Sequence, residues 1–188
     1  MNTKFIDKLL KENLSQERYN HSLHTAIEAE KLAKIYKIDS TKAYIAGLLH
    51  DCGKSLSKGQ MQEILKDKNF SKEFLNCKTI MHAPVGAVLA KNIYKINDSE
   101  ILNAIKYHCY AKANMTMLEK IVFVADKIEK TREYSGVVQL RQMAYQNIDR
   151  ALLISLNYTI NRVNSVKGYL YDETVNAQKY YTNIIENK

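Results

Sequence analysis

Pro84 is the only proline in 188 residues, and there are only six glycines. So few chain breakers leave little punctuation for a many-stranded sheet and suit long helices. The apolar residues have the matching period. In "ERYNHSLHTAIEAEKLAKIYKI", Leu23, Ala26, Ile27, Leu32 and Ile35 recur at intervals that fit the stripe of an amphipathic helix. "STKAYIAGLLH" reads as a helix capped by Ser40 or Thr41 that delivers His50. "HAPVGAVLAKNIYKI" reads as another, with Pro84 tolerated in its first turn. "DSEILNAIKYH" opens on a cap at Asp98 or Ser99 and ends at His108. "TMLEKIVFVADKIEK" carries Thr116 and Glu119 at capping-box spacing, and a stripe through Leu118, Ile121, Val122, Ala125 and Ile128. A long helix over 137–162 and a last one after Asp172 close the chain. The expectation is an all-α helical bundle, one domain over residues 1–188.

No apolar run reaches the roughly 18 residues of a membrane span, and the opening "MNTKFIDKLLKENLSQ" is charged throughout. The expected location is the cytoplasm, with no membrane partner. Three cysteines without CxxC spacing argue against a disulfide framework and for a reducing compartment. Cys52 and Cys109 each stand close to a histidine, as metal ligands or as small apolar filler. The net charge of +8 favours anionic partners. The lysines are nevertheless scattered, as on a solvated surface, and not gathered into an arm.

The stretch "AGLLHDCGKSL" sets His50 and Asp51 side by side at the end of an apolar run, followed by Gly53 and Lys54. Adjacent side chains diverge on a helix, so the pair can meet one target only where the helix ends, and Gly53 is read as what ends it. A lone histidine is usually a surface or satisfied core residue. The set is more informative, because His21, His50 with Asp51, His82, His108 and Asp126 lie on five different expected helices, as a metal site in a bundle core requires. Asp126, inside the apolar "IVFVADKIE", needs a metal, a cation or a hydrogen-bond partner. A salt bridge to a neighbouring Lys or Arg is the plain alternative.

The order His21, His50-Asp51, Asp126 resembles the H…HD…D pattern of the HD-domain metal-dependent phosphohydrolases. More narrowly, "RYNHSL", "AGLLHDCGK", "MHAPVGAVLA", "ILNAIKYH", "MTMLEKIVFVADKIE" and "YSGVVQLRQMA" resemble the YqeK-type branch, the symmetrical dinucleoside tetraphosphate hydrolases. The resemblance spans nearly the whole chain and implies an HD-domain helical fold. Two segments depart from that branch. "IEKTR" places Lys130 and Thr131 where a Pro and a Gly are expected, with Arg132 kept, and Cys109 and Ala111 follow His108 in place of a Thr and a Gly. His24 lies outside the pattern and reads as solvent-facing or as a support to the ligands.

The resemblance implies hydrolysis of a dinucleoside polyphosphate such as diadenosine tetraphosphate. The metal ligands would be His21, His50, Asp51 and Asp126, with Asp51, His82 and His108 catalytic. Phosphate and substrate contacts would come from His21, Asp51, Lys54, His82, His108, Cys109, Asp126 and Arg132, with Tyr171 and Thr174 in a segment that closes over the nucleotide. His82 and His108 would complete a second metal or bind phosphate. Imidazole with carboxylate suits iron, manganese, cobalt, nickel or zinc better than magnesium, and the resemblance favours iron, as one ion or two. A homodimer is compatible with all of this. Two other readings stay open: another HD-type hydrolase acting on nucleoside monophosphates or deoxynucleoside triphosphates, and a non-catalytic nucleic-acid-binding or scaffold module. The intact metal set weighs against the second, and nucleic acid is not the expected partner.

Overall fold

The structure, a computed structural model, describes residues 3–187 and contains helices and turns but no strand among those residues. Its helices are α1 (Thr3–Asn13), α2 (Gln16–Ile35), α3 (Ser40–Leu49), α4 (Lys58–Leu65), α5 (Lys72–Asn76), α6 (Lys78–Asn92), α7 (Ser99–Tyr107), α8 (Met117–Ile128), α9 (Val137–Gln146), α10 (Ile148–Ser165) and α11 (Asp172–Glu186). None of them is long and apolar enough to cross a membrane.

Short polar side chains start most of these helices, because a side-chain oxygen can accept from the unpaired amides of the first turn. Ser15, Ser71 and Asn147 each accept one such amide, and Ser57 and Thr116 complete capping boxes with Gln60 and Glu119. At α7 the cap is Asp98. At α3 it is Asp39, one residue before the expected Ser40, and its carboxylate takes the amides of both Thr41 and Lys42.

α8 is the axis of the fold. It packs against α2, α3, α7, α9 and α10, and Leu118, Ile121 to Ala125 and Ile128 are all buried. A helix packed on by five others lies in the interior, and this placement carries Asp126 there. Around α8 lies the main core, while Met61, Leu65, Phe74, Met81, Val85 and Tyr110 form a satellite core between α4, α5 and α6.

Besides the α3 cap, four sequence expectations change. The expected helix over 137–162 is two helices, broken where Asn147 adopts φ −153°, ψ 102°, and caps α10 with its side chain. Pro84 lies inside α6, not in its first turn, because the helix begins at Lys78. On α2, Ala26 and Leu32 are fully buried, but Ile27 and Ile35 are exposed, so the buried face is narrower and includes the small residues Ser22, Thr25 and Ala29. That face receives α3 at close range, since a Cβ on Gly47 would stand 2.8 Å from the Ala26 Cα.

Gly53 is the fourth. α3 ends at Leu49, before the glycine, so Gly53 does not stop the helix. A Cβ there would lie 2.5 Å from the His82 carbonyl oxygen and 3.0 Å from the Gly86 amide nitrogen. The glycine lets the turn after His50 and Asp51 press against the backbone of α6. Gly53→Ala is therefore expected to cost about 1–3 kcal/mol, as overpacking against rigid backbone does. Gly59→Ala, with nothing within 4 Å of the new methyl, should be neutral or stabilising by up to about 1 kcal/mol. Urea unfolding of the two variants checks the pair.

Candidate metal centre

Five helices each bring a ligand-type side chain to one place. His21 comes from the middle of α2, His50 from the C-cap of α3, His82 from α6, His108 from the C-cap of α7 and Asp126 from α8. Asp51 joins them from the turn after α3. His50, Asp51, His82, His108 and Asp126 are buried, and His21 keeps a slightly exposed edge.

The histidine orientations follow from helix-end chemistry. The last carbonyls of a helix lack intrahelical partners. His50 Nδ1 lies 2.7 Å from the Gly47 carbonyl and His108 Nδ1 2.7 Å from the Ile105 carbonyl, so each ring donates backward from its own C-cap. His21 Nδ1 lies 3.2 Å from Glu129 Oε1. With Nδ1–H committed, Nε2 of each ring is left to offer a lone pair, the arrangement that fixed outer partners impose on ligand histidines.

Those Nε2 atoms converge. His21 and His50 approach to 3.2 Å and His82 and His108 to 3.0 Å. Asp126 Oδ1 lies 3.0 Å from His21 Nε2 and 3.7 Å from His50 Nε2. Asp51 Oδ1 sits between the two histidine pairs, 3.5 Å from His50, 3.3 Å from His82 and 3.5 Å from His108. Neither Asp51 oxygen accepts a hydrogen bond. Lone pairs of two rings facing one another beside a buried carboxylate need a cation between them, so the donor set fits a divalent metal. Three groupings of ligand atoms are close enough to hold an ion: His21, His50 and Asp126; His50, Asp51 and His108; and His82, His108 and Cys109.

The charges agree with that fit. Burial pushes His50 down to about 3 and His82 down to about 4, so both rings are neutral at ordinary pH. Burial also opposes charge on Asp51 and Asp126, but their surroundings overrule it. His50, the adjacent His108 and His82 rings, and Lys54 hold Asp51 well below the usual carboxylate range, and Lys127, His21, His50 and Arg132 do the same for Asp126. His21 is raised despite its burial, because the Asp126 and Glu129 carboxylates flank its two nitrogens and favour a second proton on the ring, the proton that a metal at Nε2 would displace.

Three cations stand at the partly open side. Lys54 Nζ is 2.8 Å from Asp51 Oδ2, Lys127 Nζ is 2.7 Å from Asp126 Oδ2, and Arg132 Nη2 is 2.6 Å from Asp126 Oδ1. Asp126 thus has the salt bridges weighed as its plain alternative as well as a place in the cluster. The Cys109 thiol, pushed up by burial, donates to the Ile80 carbonyl. Tyr171 and Thr174 lie outside the cluster. The Thr174 hydroxyl is buried and donates to the Tyr110 carbonyl, and the Tyr171 ring packs edge-on against Phe74 and Tyr110.

Residues 18–131 match the HD domain family. The chain belongs to the HD-domain family. The matched span contains every histidine and aspartate of the cluster, while Arg132, Tyr171 and Thr174 lie beyond it. Among curated relatives, this HD-domain chain is 38% identical over 184 residues to a symmetrical bis(5'-nucleosyl)-tetraphosphatase of Staphylococcus aureus, covering 96% of this chain and 95% of that one. It is 33% identical over 169 residues to the protein of the same name from Halalkalibacterium halodurans, covering 89% and 90%. A solved structure described as a predicted HD superfamily hydrolase involved in NAD metabolism, from Clostridium acetobutylicum, superposes with a TM-score of 0.93 at 38% identity, over 100% of this chain and 99% of that one.

Three residues escaped sequence reading: Lys127, described above, Glu129 and Arg141. Glu129 is fully buried and accepts from His21 Nδ1, from the Thr131 amide at 2.8 Å and from the Thr131 hydroxyl at 2.5 Å. Burial opposes its charge, but His21 and Thr131 pull it down to about 2. His24 Nδ1 lies 3.7 Å from the same carboxylate, so His24 faces the support of His21 and not open solvent. Arg141 donates to the carbonyls of Ile128, Glu129 and Arg132 and so ties down the C-terminal end of α8. The only advance signal for Glu129 was its position one helical turn after Asp126. Thr131, read as a departure, turns out to hold Glu129 in place.

In chelator-stripped protein, Asp51→Asn removes a charge that Lys54, 2.8 Å away, and the surrounding rings hold ionised. Its stability should fall by about 1 kcal/mol, less than for the loss of Glu129. Glu129→Ala breaks three hydrogen bonds and should cost about 2–3 kcal/mol. Thermal unfolding of both variants in excess chelator tests the contrast.

Proposed function

We propose that the protein hydrolyses dinucleoside tetraphosphates symmetrically, diadenosine tetraphosphate to two molecules of ADP. The observation that carries the reading is the convergence of imidazole Nε2 atoms and two ionised carboxylates from five helices on one site. The two curated relatives, matched over nearly their whole length, bear names that state this reaction.

His21, His50, Asp51 and Asp126 would hold a divalent transition metal; the mixed nitrogen and oxygen donors suit iron, manganese, cobalt, nickel or zinc alike, and the family resemblance favours iron among them. Asp51, His82 and His108 would be the residues to hold a second ion, if one binds. When bound, such an ion neutralises phosphate charge and makes a water molecule acidic enough to serve as nucleophile. In the reaction, a water oxygen bonds to phosphorus, the central anhydride P–O bond breaks, and a nucleoside diphosphate leaves.

The protein's own groups supply the rest. Lys54, Lys127 and Arg132 set three positive charges at the side through which a polyphosphate would enter. Arg132 already donates through Nε and Nη2 to Asp126, so its free edge and the two ammonium groups are what a phosphate would meet. His82 and His108 are the groups that would donate to phosphate oxygens or take the proton of the attacking water. A neutral ring at His82 suits the second role. Glu129 positions His21 through Nδ1 and does not itself reach the cluster.

Product analysis tests the reaction. Diadenosine tetraphosphate given to the metal-loaded protein should yield ADP alone, and activity should vanish on chelation and return with metal. Asp51→Ala should lose metal and at least about 1000-fold in rate, as removal of a metal-binding carboxylate at the reacting centre implies. AMP with ATP as products would overturn the symmetrical cleavage, and an active Asp51→Ala variant would overturn the site. Glu129→Ala should weaken metal retention about 10–100-fold, as loss of a histidine's outer partner does. Metal titration of stripped protein measures it.

A further inference from the structure

Two histidines stand beside the buried Glu129 carboxylate, not one. His21 Nδ1 lies 3.2 Å from Oε1, and His24 Nδ1 lies 3.7 Å from Oε2. The rings are three residues apart and so share one face of α2. A small rotation of the carboxylate would exchange one ring for the other. The His24 nitrogen is buried and has no hydrogen-bond partner. A buried polar atom left unpaired costs stability, so His24 competes for the carboxylate that orients His21.

Thr131 decides the competition. Its amide donates to Oε2 at 2.8 Å and its hydroxyl to Oε1 at 2.5 Å, so one residue grips both carboxylate oxygens. The amide would be there whatever side chain stood at 131. The hydroxyl would not, and it bonds the same oxygen that accepts from His21. Arg132 Nε is 3.6 Å from that oxygen but is committed to the Asp126 carbonyl. With the amide bond alone the carboxylate can turn about Oε2, and the second bond removes that freedom.

We propose that Thr131 is a positioning residue for the metal centre, its hydroxyl aiming Glu129 at His21 and denying it to His24. On the reading of His21 as a metal ligand, Thr131 then sets metal affinity without touching the ion. While Glu129 is held, Nδ1–H of His21 is fixed and Nε2 faces Asp126. With alanine at 131, or the glycine that the branch resemblance led one to expect there, Glu129 turns to His24 and His21 loses the partner that orients its ring.

Two measurements on chelator-stripped protein test this: cobalt titration followed by the visible absorption of the bound ion, and proton–nitrogen correlation spectra of the labelled histidine rings. Thr131→Ala should weaken cobalt binding about three- to tenfold, less than removal of Glu129 itself, because the hydroxyl is one partner further from the ion. Its spectra should show the hydrogen-bonded Nδ1–H passing from His21 to His24. Thr131→Ser, which restores the hydroxyl, should bind as wild type does. Adding His24→Phe to Thr131→Ala keeps a ring but removes the competing nitrogen, and should recover most of the lost affinity. A purely structural effect of the threonine would not be reversed in that way. Unaltered cobalt affinity or an unaltered His24 spectrum in Thr131→Ala, or a double variant no better than the single one, would overturn the proposal. Wild-type protein that binds no cobalt would sink the reading of the metal centre, and the histidine spectra would then decide by themselves which ring Thr131 lets Glu129 hold.

Discussion

Asp51 and Asp126 are ionised carboxylates held almost out of water where five helices meet, and the rest of the structure can be understood as the means of keeping them there. Taking such charges from water costs several kcal/mol each unless strong partners compensate. The partners come from different parts of the chain: histidine rings on α2, α3, α6 and α7, and cations on α8 and in two turns. No one helix could supply them. The bundle therefore has to be assembled before the site exists, and the site's charges in turn favour only the assembly that brings all of these groups together.

The outer contacts make this arrangement rigid. His50 and His108 use the unsatisfied carbonyls at the ends of their own helices as acceptors, so the same hydrogen bond finishes the helix and sets the ring. His21 has no such carbonyl, being in the middle of α2, and takes Glu129 instead. Glu129 is held by Thr131, and the end of α8 by Arg141. Gly53 belongs to the same system, since only a residue without a side chain lets the turn bearing His50 and Asp51 approach α6 closely enough for Asp51 to face His82 and His108.

Much of this was legible in the sequence because it depends on local rules. Helix period, caps and scarcity of breakers specify the helices, and a buried aspartate in "IVFVADKIE" demands a partner whatever the fold. What was not legible depends on neighbours remote in sequence. Nothing local distinguishes Asn147 as a helix break from Asn147 within a helix, and Ile27 and Ile35 carry the right period although both are exposed. Gly53 looked like a helix stop, because its real constraint is a carbonyl on α6. Thr131 looked like a defect in a loop, because its role is visible only once Glu129 is seen to be buried beside His21. Tyr171 and Thr174 were read as nucleotide contacts from their segment, yet the structure gives Thr174 to the Tyr110 carbonyl.

The central claim is that His21, His50, Asp51 and Asp126 enclose one divalent cation. Anomalous diffraction from crystals of the metal-loaded protein, recorded on either side of the metal's absorption edge, addresses it most directly. A single strong peak within bonding distance of all four residues, with or without a second near His82 and His108, is the predicted result. A metal-loaded crystal with no peak there, or with its only peak among His82, His108 and Cys109, would contradict it.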